Sequence, residues 1–327
     1  MRAVRHPWPY PSIGVLGLAC LLAGLLAATG CRHDSPEATA QQADHTRSAT
    51  AGTASGSPTS ATSGSPASAA PTSATAAPAA MRLVSLTPSA TEIVAALGAT
   101  ALLVGVDDYS AFPAEVTKLP KVGSFLAPNL EIIVGLKPTL VIVDDVHSQA
   151  AGALNDVGVA TVACAIHDLP DVKSALRTVG ERLGKAPEAA RLIAEIDATL
   201  DHAAAHRPAR RPRVLAVIDR EAGGLGDLVT AGPGSWIDEL LAVVGGENVL
   251  SAATVRYPKI STEEVLRAKP DVILDLSYAA RQSVAAWSAV HVPAVAAGRV
   301  RALQDAYLIA PSPRVAAALD VLAKAIQ

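Results

Sequence analysis

The chain has 327 residues, of which 50% are hydrophobic, 17% charged and 3% aromatic, with a formal net charge of −3. So apolar a composition excludes a wholly disordered protein, and the lack of any basic run leaves no electrostatic footprint for nucleic acid. The length suits one or two domains with a sizeable core.

Arg2 and Arg5 precede an apolar run from Ile13 to Ala28, shorter than the roughly 20 residues that span a bilayer. Ala28-Thr29-Gly30-Cys31 then sets small residues before a cysteine, a pattern that resembles a bacterial lipoprotein box. Residues 1–31 are expected to be an export signal whose Cys31 carries lipid, so that the protein is a membrane-anchored lipoprotein of the periplasm or cell envelope. From Ser48 to Ala80 every residue is Ala, Gly, Pro, Ser or Thr. Such a segment cannot bury a core, and residues 32–80 are expected to be a flexible tether.

With Cys20 in the signal and Cys31 as the lipid site, Cys164 stands alone, which excludes a disulfide framework within one chain. It lies in the apolar run Val159 to Ile166 and is expected to pack as a small buried hydrophobe. Four Arg and three acidic residues precede Met81, so the remaining chain holds 23 basic and 27 acidic side chains, a net −4. That mild acidity suits docking onto a basic surface.

Past Met81 the chain alternates strand and helix. Arg82 to Leu86 reads as a buried strand, and Thr87-Pro88 opens a helix ending at Gly98, with Thr as N-cap and Pro in the first turn. Strands follow at Leu103 to Val106, Leu140 to Val143 and Val159 to Ile166, with helices from Asn129 to Leu136 and Gln149 to Val157 between them. Pro187 to His206 reads as one long helix, about 30 Å at ~1.5 Å per residue, closed by Pro208 and Pro212. Beyond it come strand Val214 to Ile218, helices Ser235 to Val244 and Ser261 to Ala268, strands Val272 to Leu276 and Val300 to Leu303, and a last helix from Ser312 to Ile326. Alternation of this kind predicts parallel sheets with crossover helices.

One pattern occurs twice. Asn129-Leu130-Glu131, then Lys137-Pro138 and a strand, recurs as Ser261-Thr262-Glu263, then Lys269-Pro270 and a strand, at a constant offset of 132 positions. Each copy sets an N-cap before a Glu in the first helical turn, where the helix dipole favours negative charge. Two copies flanking the long helix imply two similar lobes. The expected fold class is α/β: an N-terminal lobe over 81–168, connecting helices including the long one over 169–207, and a C-terminal lobe over 208–327.

The stretch from Leu83 to Ile93, with Thr87-Pro88-Ser89-Ala90-Thr91-Glu92 at its centre, resembles the opening of the Fe/B12 periplasmic-binding family, as does Gly105-Val106-Asp107-Asp108-Tyr109-Ser110. Leu119-Pro120-Lys121-Val122-Gly123, Gly245-Gly246-Glu247-Asn248-Val249, Tyr257-Pro258-Lys259-Ile260-Ser261 and Ser312-Pro313-Arg314 extend the resemblance across residues 81–327. It is nearest to the vitamin B12 receptor branch. The family consists of substrate-binding lipoproteins of ABC importers for cobalamin, haem and ferric siderophores. The resemblance implies two α/β lobes with parallel sheets, joined by one rigid helix, with the ligand held in the cleft between them. It further implies that Glu131 and Glu263, one per lobe, dock onto a dimeric permease served by an ATPase.

Ligands of parallel α/β sheets bind beyond the carboxyl ends of the strands. Those ends carry Tyr109, Asp144, Asp145 and His147 in the first half, and Asp219, Arg220, Ser277, Tyr278, Asp305 and Tyr307 in the second. Aromatic side chains are scarce, yet Tyr109, Phe125, Tyr257 and Tyr307 all fall in loops that match family cleft positions. Flat rings offer a corrin or porphyrin face a large contact area at low entropy cost. The expected ligand-binding set is Tyr109, Phe125, Asp144, His147, Tyr257, Asp305 and Tyr307. Cobalamin or a related metal chelate is the first expected ligand, haem the second and a ferric siderophore the third. The cobalamin branch tends to carry tryptophans where this chain has Phe125, Asp144 and Tyr257. That departure keeps haem open, with a tyrosine, His147 or His167 as candidate iron ligand.

No catalytic residues, resident metal or cofactor are expected. The sequence has no G-x-S-x-G, no phosphate-binding loop, no G-x-G-x-x-G after a strand and no C-x-x-C. Asp144 and Asp145, adjacent in one loop, are not expected to converge on one atom. His202 and His206, spaced i, i+4, are expected to be exposed.

Overall fold

A computed structural model describes residues 81–327 apart from Gln282. The expected signal, Cys31 and the tether lie outside the described residues.

The first half builds β1 (Leu83–Ser85), α1 (Pro88–Ala96), β2 (Leu103–Val106), β3 (Gly123–Ser124), β4 (Ala127–Pro128), α2 (Leu130–Gly135), β5 (Leu140–Val143), α3 (Ser148–Asp156) and β6 (Ala160–Ala163). Two helices follow, α4 (Leu169–Arg182) and the 20-residue α5 (Ala186–Ala205). The second half builds β7 (Arg213–Asp219), β8 (Leu228–Thr230), α6 (Trp236–Val244), β9 (Glu247–Asn248), β10 (Lys259–Ile260), α7 (Thr262–Ala268), β11 (Val272–Asp275), α8 (Pro293–Ala296), β12 (Val300–Ala302) and α9 (Val315–Ile326). Among the described residues no helix is long and apolar enough to cross a membrane.

The first sheet runs β2-β1-β5-β6 and is parallel throughout. The second runs β10-β8-β7-β11-β12, with β9 also against β7. Here β8 is antiparallel, a departure from the wholly parallel sheet expected. Its cause is the Gly223–Gly226 segment, where Glu221 N–H reaches back to Gly226 O (3.0 Å) and reverses the chain after β7.

Alternate side chains of each buried strand face different cores, as the two-residue period of a strand requires. Leu140 and Ile142 of β5, Val214 and Ala216 of β7, and Val272 and Leu274 of β11 join one continuous core. That core also holds Leu176 and Val179 of α4, Ile196 of α5, Leu240 of α6 and Leu319 of α9. The opposite faces form separate cores, one around Val84, Val141, Val143 and Ile133, the other around Leu215, Val217, Ile273 and Trp287. Each fully buried Val, Leu or Ile among them contributes about 1.5–3 kcal/mol by burial. Because the central core is shared, α4 and α5 weld the two sheets together.

Caps explain the helix starts. Thr87 Oγ1 accepts from Ala90 N (3.0 Å) before α1, and Asp168 Oδ1 accepts from Asp171 N (2.9 Å) before α4. Two boundaries differ from expectation. The last helix begins at Val315, because Ser312 Oγ accepts from Arg314 N (3.0 Å) in a local turn that competes with helix. The sixth strand stops at Ala163, and Cys164 N makes the last ladder bond to Val143 O (2.8 Å) before the chain bends toward the Asp168 cap.

Candidate functional site

The loop after β2 is fixed by buried polar groups. Asp107 accepts from Tyr109 N (2.9 Å) and from Ser110 Oγ, and Thr91 joins Ser110 Oγ (2.7 Å) to Ser85. Lys121 Nζ donates to the carbonyls of Asp107 (2.9 Å) and Ser110 (2.7 Å). Burial pushes the Asp107 carboxyl up, opposed by its bonds from Ser110 and Tyr109, and burial pulls the Lys121 amine down. The network leaves the Tyr109 ring 48% exposed on a rigid base.

Phe125 sits at the turn of the β3–β4 hairpin. Gly123 makes that turn possible, with φ of +102° and a Cβ position only 2.5 Å from Ala127 O. His147 fastens the hairpin to the loop after β5. Its Nδ1 accepts from Asp144 N (3.0 Å), which leaves the proton on Nε2 to donate to Phe125 O (2.6 Å), and its ring meets Phe125 edge-on at 5.3 Å. His147 is only 3% exposed. Its expected part in ligand contact, or as an iron ligand, is therefore corrected. Both nitrogens are engaged by the backbone, and the residue positions Phe125.

In the second half, Trp236 Nε1 donates to Tyr307 O (3.0 Å). Pro258 O accepts from Thr230 N (3.0 Å) and Thr230 Oγ1 (2.9 Å), which fixes the loop bearing Tyr257. Gly232 admits that loop, since a Cβ there would lie 2.4 Å from Val255 O. Tyr257 lies at the sheet edge rather than past a strand's carboxyl end, and with Ile218, Trp236 and Leu308 it lines a recess of about 170 Å³. Burial raises its phenol. Asp305 is exposed and opens the turn that carries Tyr307. Larger depressions of about 320 and 380 Å³ lie along α5 and involve none of these loops.

Links between the halves run beside these loops. Glu239 accepts from Leu169 N (2.7 Å), and Arg256 lies 3.5 Å from Asp168. Arg314 grips Glu92 (Nε to Oε2, 2.8 Å) while its guanidinium stacks 4.1 Å from Phe112 and 4.4 Å from Tyr307. The Arg314 clasp was not foreseen as a site feature. Glu92 and Phe112 lie more than two hundred positions before Arg314, and only the resemblance motifs ending in Glu92 and in Arg314 hinted at it.

Exposed apolar side chains gather on the same loops: Tyr109, Leu126 and Val146 in one half, Tyr257, Tyr278 and Ile309 in the other. Large exposed apolar groups gathered at strand ends mark a binding surface. Arg220, expected at the ligand end, is instead buried and bound to Asp275 (2.7 Å).

Asp144, just past β5, is 4% exposed. Its Oδ1 has no hydrogen-bond partner, and the nearest cation, His167 Nε2, lies 3.7 Å away, beyond hydrogen-bond reach. Burial, then the hydrogen bond shared with Asp145, pushes its carboxyl up to about 6, against the pull of His167. The same shared bond draws Asp145 down. Asp145 and His167 themselves meet at 3.1 Å. The two aspartates thus converge with an imidazole, contrary to the expectation from their adjacency. The signal for it was a histidine just past β6, the strand beside β5.

Glu131 and Glu263 both stand exposed in the first turns of α2 and α7. Three residues on, Val134 and Leu266 are each 41% exposed, so each helix shows an acid and an apolar group on one face. Lys137 and Lys269 share even their left-handed backbone, at φ of 49° and 47°.

The periplasmic binding protein family profile matches residues 83–307. The chain belongs to that family. A vitamin B12-binding protein of Salmonella typhimurium is 32% identical to this binding protein over 201 residues, 60% of this chain and 72% of that one. Among solved structures, the apo periplasmic heme-binding protein RhuT of Roseiflexus sp. RS-1 superposes with a TM-score of 0.68 at 30% identity, over 76% of this chain and all of that one. The vitamin B12-binding protein BtuF of Vibrio cholerae superposes with a TM-score of 0.63 at 26% identity, over 75% and 96%. These relatives are binding proteins of the helical-backbone type: two α/β lobes joined by a rigid helix, here α5.

Proposed function

We propose that this binding protein is the substrate-binding component of an ABC importer. It captures cobalamin or a closely related corrinoid in the periplasm, held to a membrane through lipidated Cys31 and the tether, and hands the ligand to a permease dimer. The observation that carries the proposal is the aromatic rim of Tyr109, Phe125, Tyr257 and Tyr307 on both lobes, Tyr109 and Tyr257 exposed and Phe125 and Tyr307 half-buried. Such a rim suits a large ligand with flat apolar faces, and the curated relatives at 26–32% identity are named for vitamin B12. Haem is the second candidate, favoured by the 30% identity to a heme-binding protein over the whole of that chain.

Titration with cyanocobalamin and, separately, with hemin tests the ligand. Saturable cobalamin binding that weakens at least tenfold in Tyr257→Ala is the expected result. A Soret shift with no cobalamin binding would transfer the assignment to haem, and binding of neither would overturn it.

Glu131 and Glu263, each with its neighbouring Val134 or Leu266, serve as paired docking points for a two-fold symmetric, basic permease face. An exposed ion pair contributes only about 0–1 kcal/mol, but charge complementarity fixes orientation. The double variant Glu131→Arg, Glu263→Arg should abolish uptake in cells and leave ligand affinity unchanged. Normal uptake by the folded double variant would sink the docking role.

A further inference from the structure

Three donor groups from two strand-end loops meet beside the loop that carries Val146 and His147. One carboxylate oxygen each from Asp144 and Asp145, with the imidazole nitrogen of His167, lie within 4.8 Å of one another. We propose that they form a binding site for a divalent transition-metal ion of the zinc class.

Geometry supports this first. A tetrahedral ion held by oxygen and nitrogen at about 2.0–2.2 Å sets its donors roughly 3.3–3.6 Å apart. The separations from His167 Nε2 are 3.1 Å to Asp145 Oδ1 and 3.7 Å to Asp144 Oδ1, on either side of that spacing. Small side-chain rotations about His167 Nε2 bring both separations to that spacing.

The second support is the state of Asp144 itself. Its Oδ1 is buried, points into the cluster and accepts no hydrogen bond. Leaving a buried carboxylate oxygen unsatisfied is costly, and a cation at the cluster removes that cost. The site is also braced. His167 N donates to Asp171 Oδ2 (3.0 Å), and the next residue, Asp168, caps α4, so the imidazole springs from a fixed turn.

Donor chemistry selects the ion. Calcium and magnesium prefer six or more oxygens or several retained waters, whereas an imidazole with two carboxylates suits zinc and its first-row neighbours. Three protein donors leave at least one coordination position open. Asp145 is 62% and His167 32% exposed, so an ion reaches the cluster directly from solvent.

The full chain, stripped with chelator and free of any corrinoid or haem, tests the site with Zn2+ by calorimetry and Co2+ by visible absorption. One tight equivalent is expected, with Co2+ giving the intense visible bands of a low-coordinate ion. Affinity should fall at least tenfold in His167→Ala, in Asp144→Asn and in Asp145→Asn. Asp145 is exposed, so its variant cannot fail merely by unfolding. The stacked surface pair His202 and His206 is the obvious competitor, with ring centroids 4.2 Å apart. Its double alanine variant should keep the equivalent. Loss of the equivalent in that double variant, its survival in Asp145→Asn and His167→Ala, or no binding at all would overturn the proposal.

Discussion

Asp144 and Asp275 lie near the ends of the two duplicated strands but one register position apart. The offset of 132 sets Asp144 against Leu276 and Asp275 against Val143. Each follows a cap, a short helix, a lysine-proline pair and a buried strand, and each is removed from solvent where that strand ends. Their partners differ completely. Asp275 Oδ2 accepts from Arg220 Nε (2.7 Å) and Trp287 Nε1 (2.8 Å), while Oδ1 accepts from Ser277 Oγ (2.6 Å) and Ser277 N (3.2 Å). Arg220 in turn donates to the carbonyls of Gly224 (2.8 Å) and Ser283 (2.7 Å). Asp144 has an orphan oxygen instead. The end of one duplicated strand thus carries a fully bonded structural staple, whereas the buried carboxylate just past the other keeps an oxygen without a hydrogen-bond partner.

The sharpest way to break the comparison is to remove one partner from the completed site. Arg220→Ala strands the Asp275 carboxylate, which is 0% exposed, and removing one member of a buried pair costs about 3–5 kcal/mol. Urea or thermal unfolding should show a loss of that size. Asp144→Asn should instead cost little, because its nearest cation, the partly exposed His167, stands 3.7 Å away and makes no hydrogen bond to it. Equal losses in the two variants would mean that Asp144 is as structural as Asp275.

The second prediction concerns pH. The Asp144 carboxyl is raised from 3.8 to about 6 in the folded protein, chiefly by burial. A raised carboxyl contributes its stability fully below the unfolded value and loses it as pH climbs through the folded value. With chelator present, wild type should therefore lose stability relative to Asp144→Asn between about pH 4 and 7, by about 3 kcal/mol at most. The groups facing Asp144 are Asp145, His167 and Cys164, and all remain in the variant, so the difference between the two curves reports Asp144 together with its coupling to Asp145 and His167. A flat difference would show that Asp144 is better solvated than its burial implies.

Much of the frame was legible because its signals are local. Buried parallel strands read as apolar runs, so Leu140 to Val143 and Val272 to Leu276 stood out, and Asn129 and Ser261 announced helices through their own side chains. The antiparallel β8 was missed because its pairing follows from a glycine loop whose reversal depends on where β7 sits. The fates of His147 and Arg220 were missed for a related reason. A polar side chain past a strand end looks the same in sequence whether it faces a ligand or bonds to a loop or strand twenty or more positions away. Asp144 and His167 converge only because β5 and β6 are neighbours in the sheet, a fact of topology.

The smallest expected effect separates the two caps themselves. Asn129 Oδ1 takes a well-formed 3.0 Å bond from Ile132 N, the side-chain cap of α2. In α7 the bond from Glu264 N to Ser261 Oγ is long at 3.4 Å, while Glu264 Oε2 accepts from Ser261 N at 2.7 Å. The reciprocal pair is therefore carried by Glu264 more than by Ser261. Asn129→Ala should cost about 1 kcal/mol and Ser261→Ala clearly less, within the usual 0.5–2 kcal/mol span for caps. Glu264→Ala should exceed Ser261→Ala, and the double variant should lose less than the two single losses added, since the two bonds form one reciprocal unit. Chemical denaturation of the four variants measures this directly. If Ser261→Ala proved the costliest, the hydroxyl rather than the carboxylate would be the true cap, and the two helix starts would be alike in energy as well as in sequence.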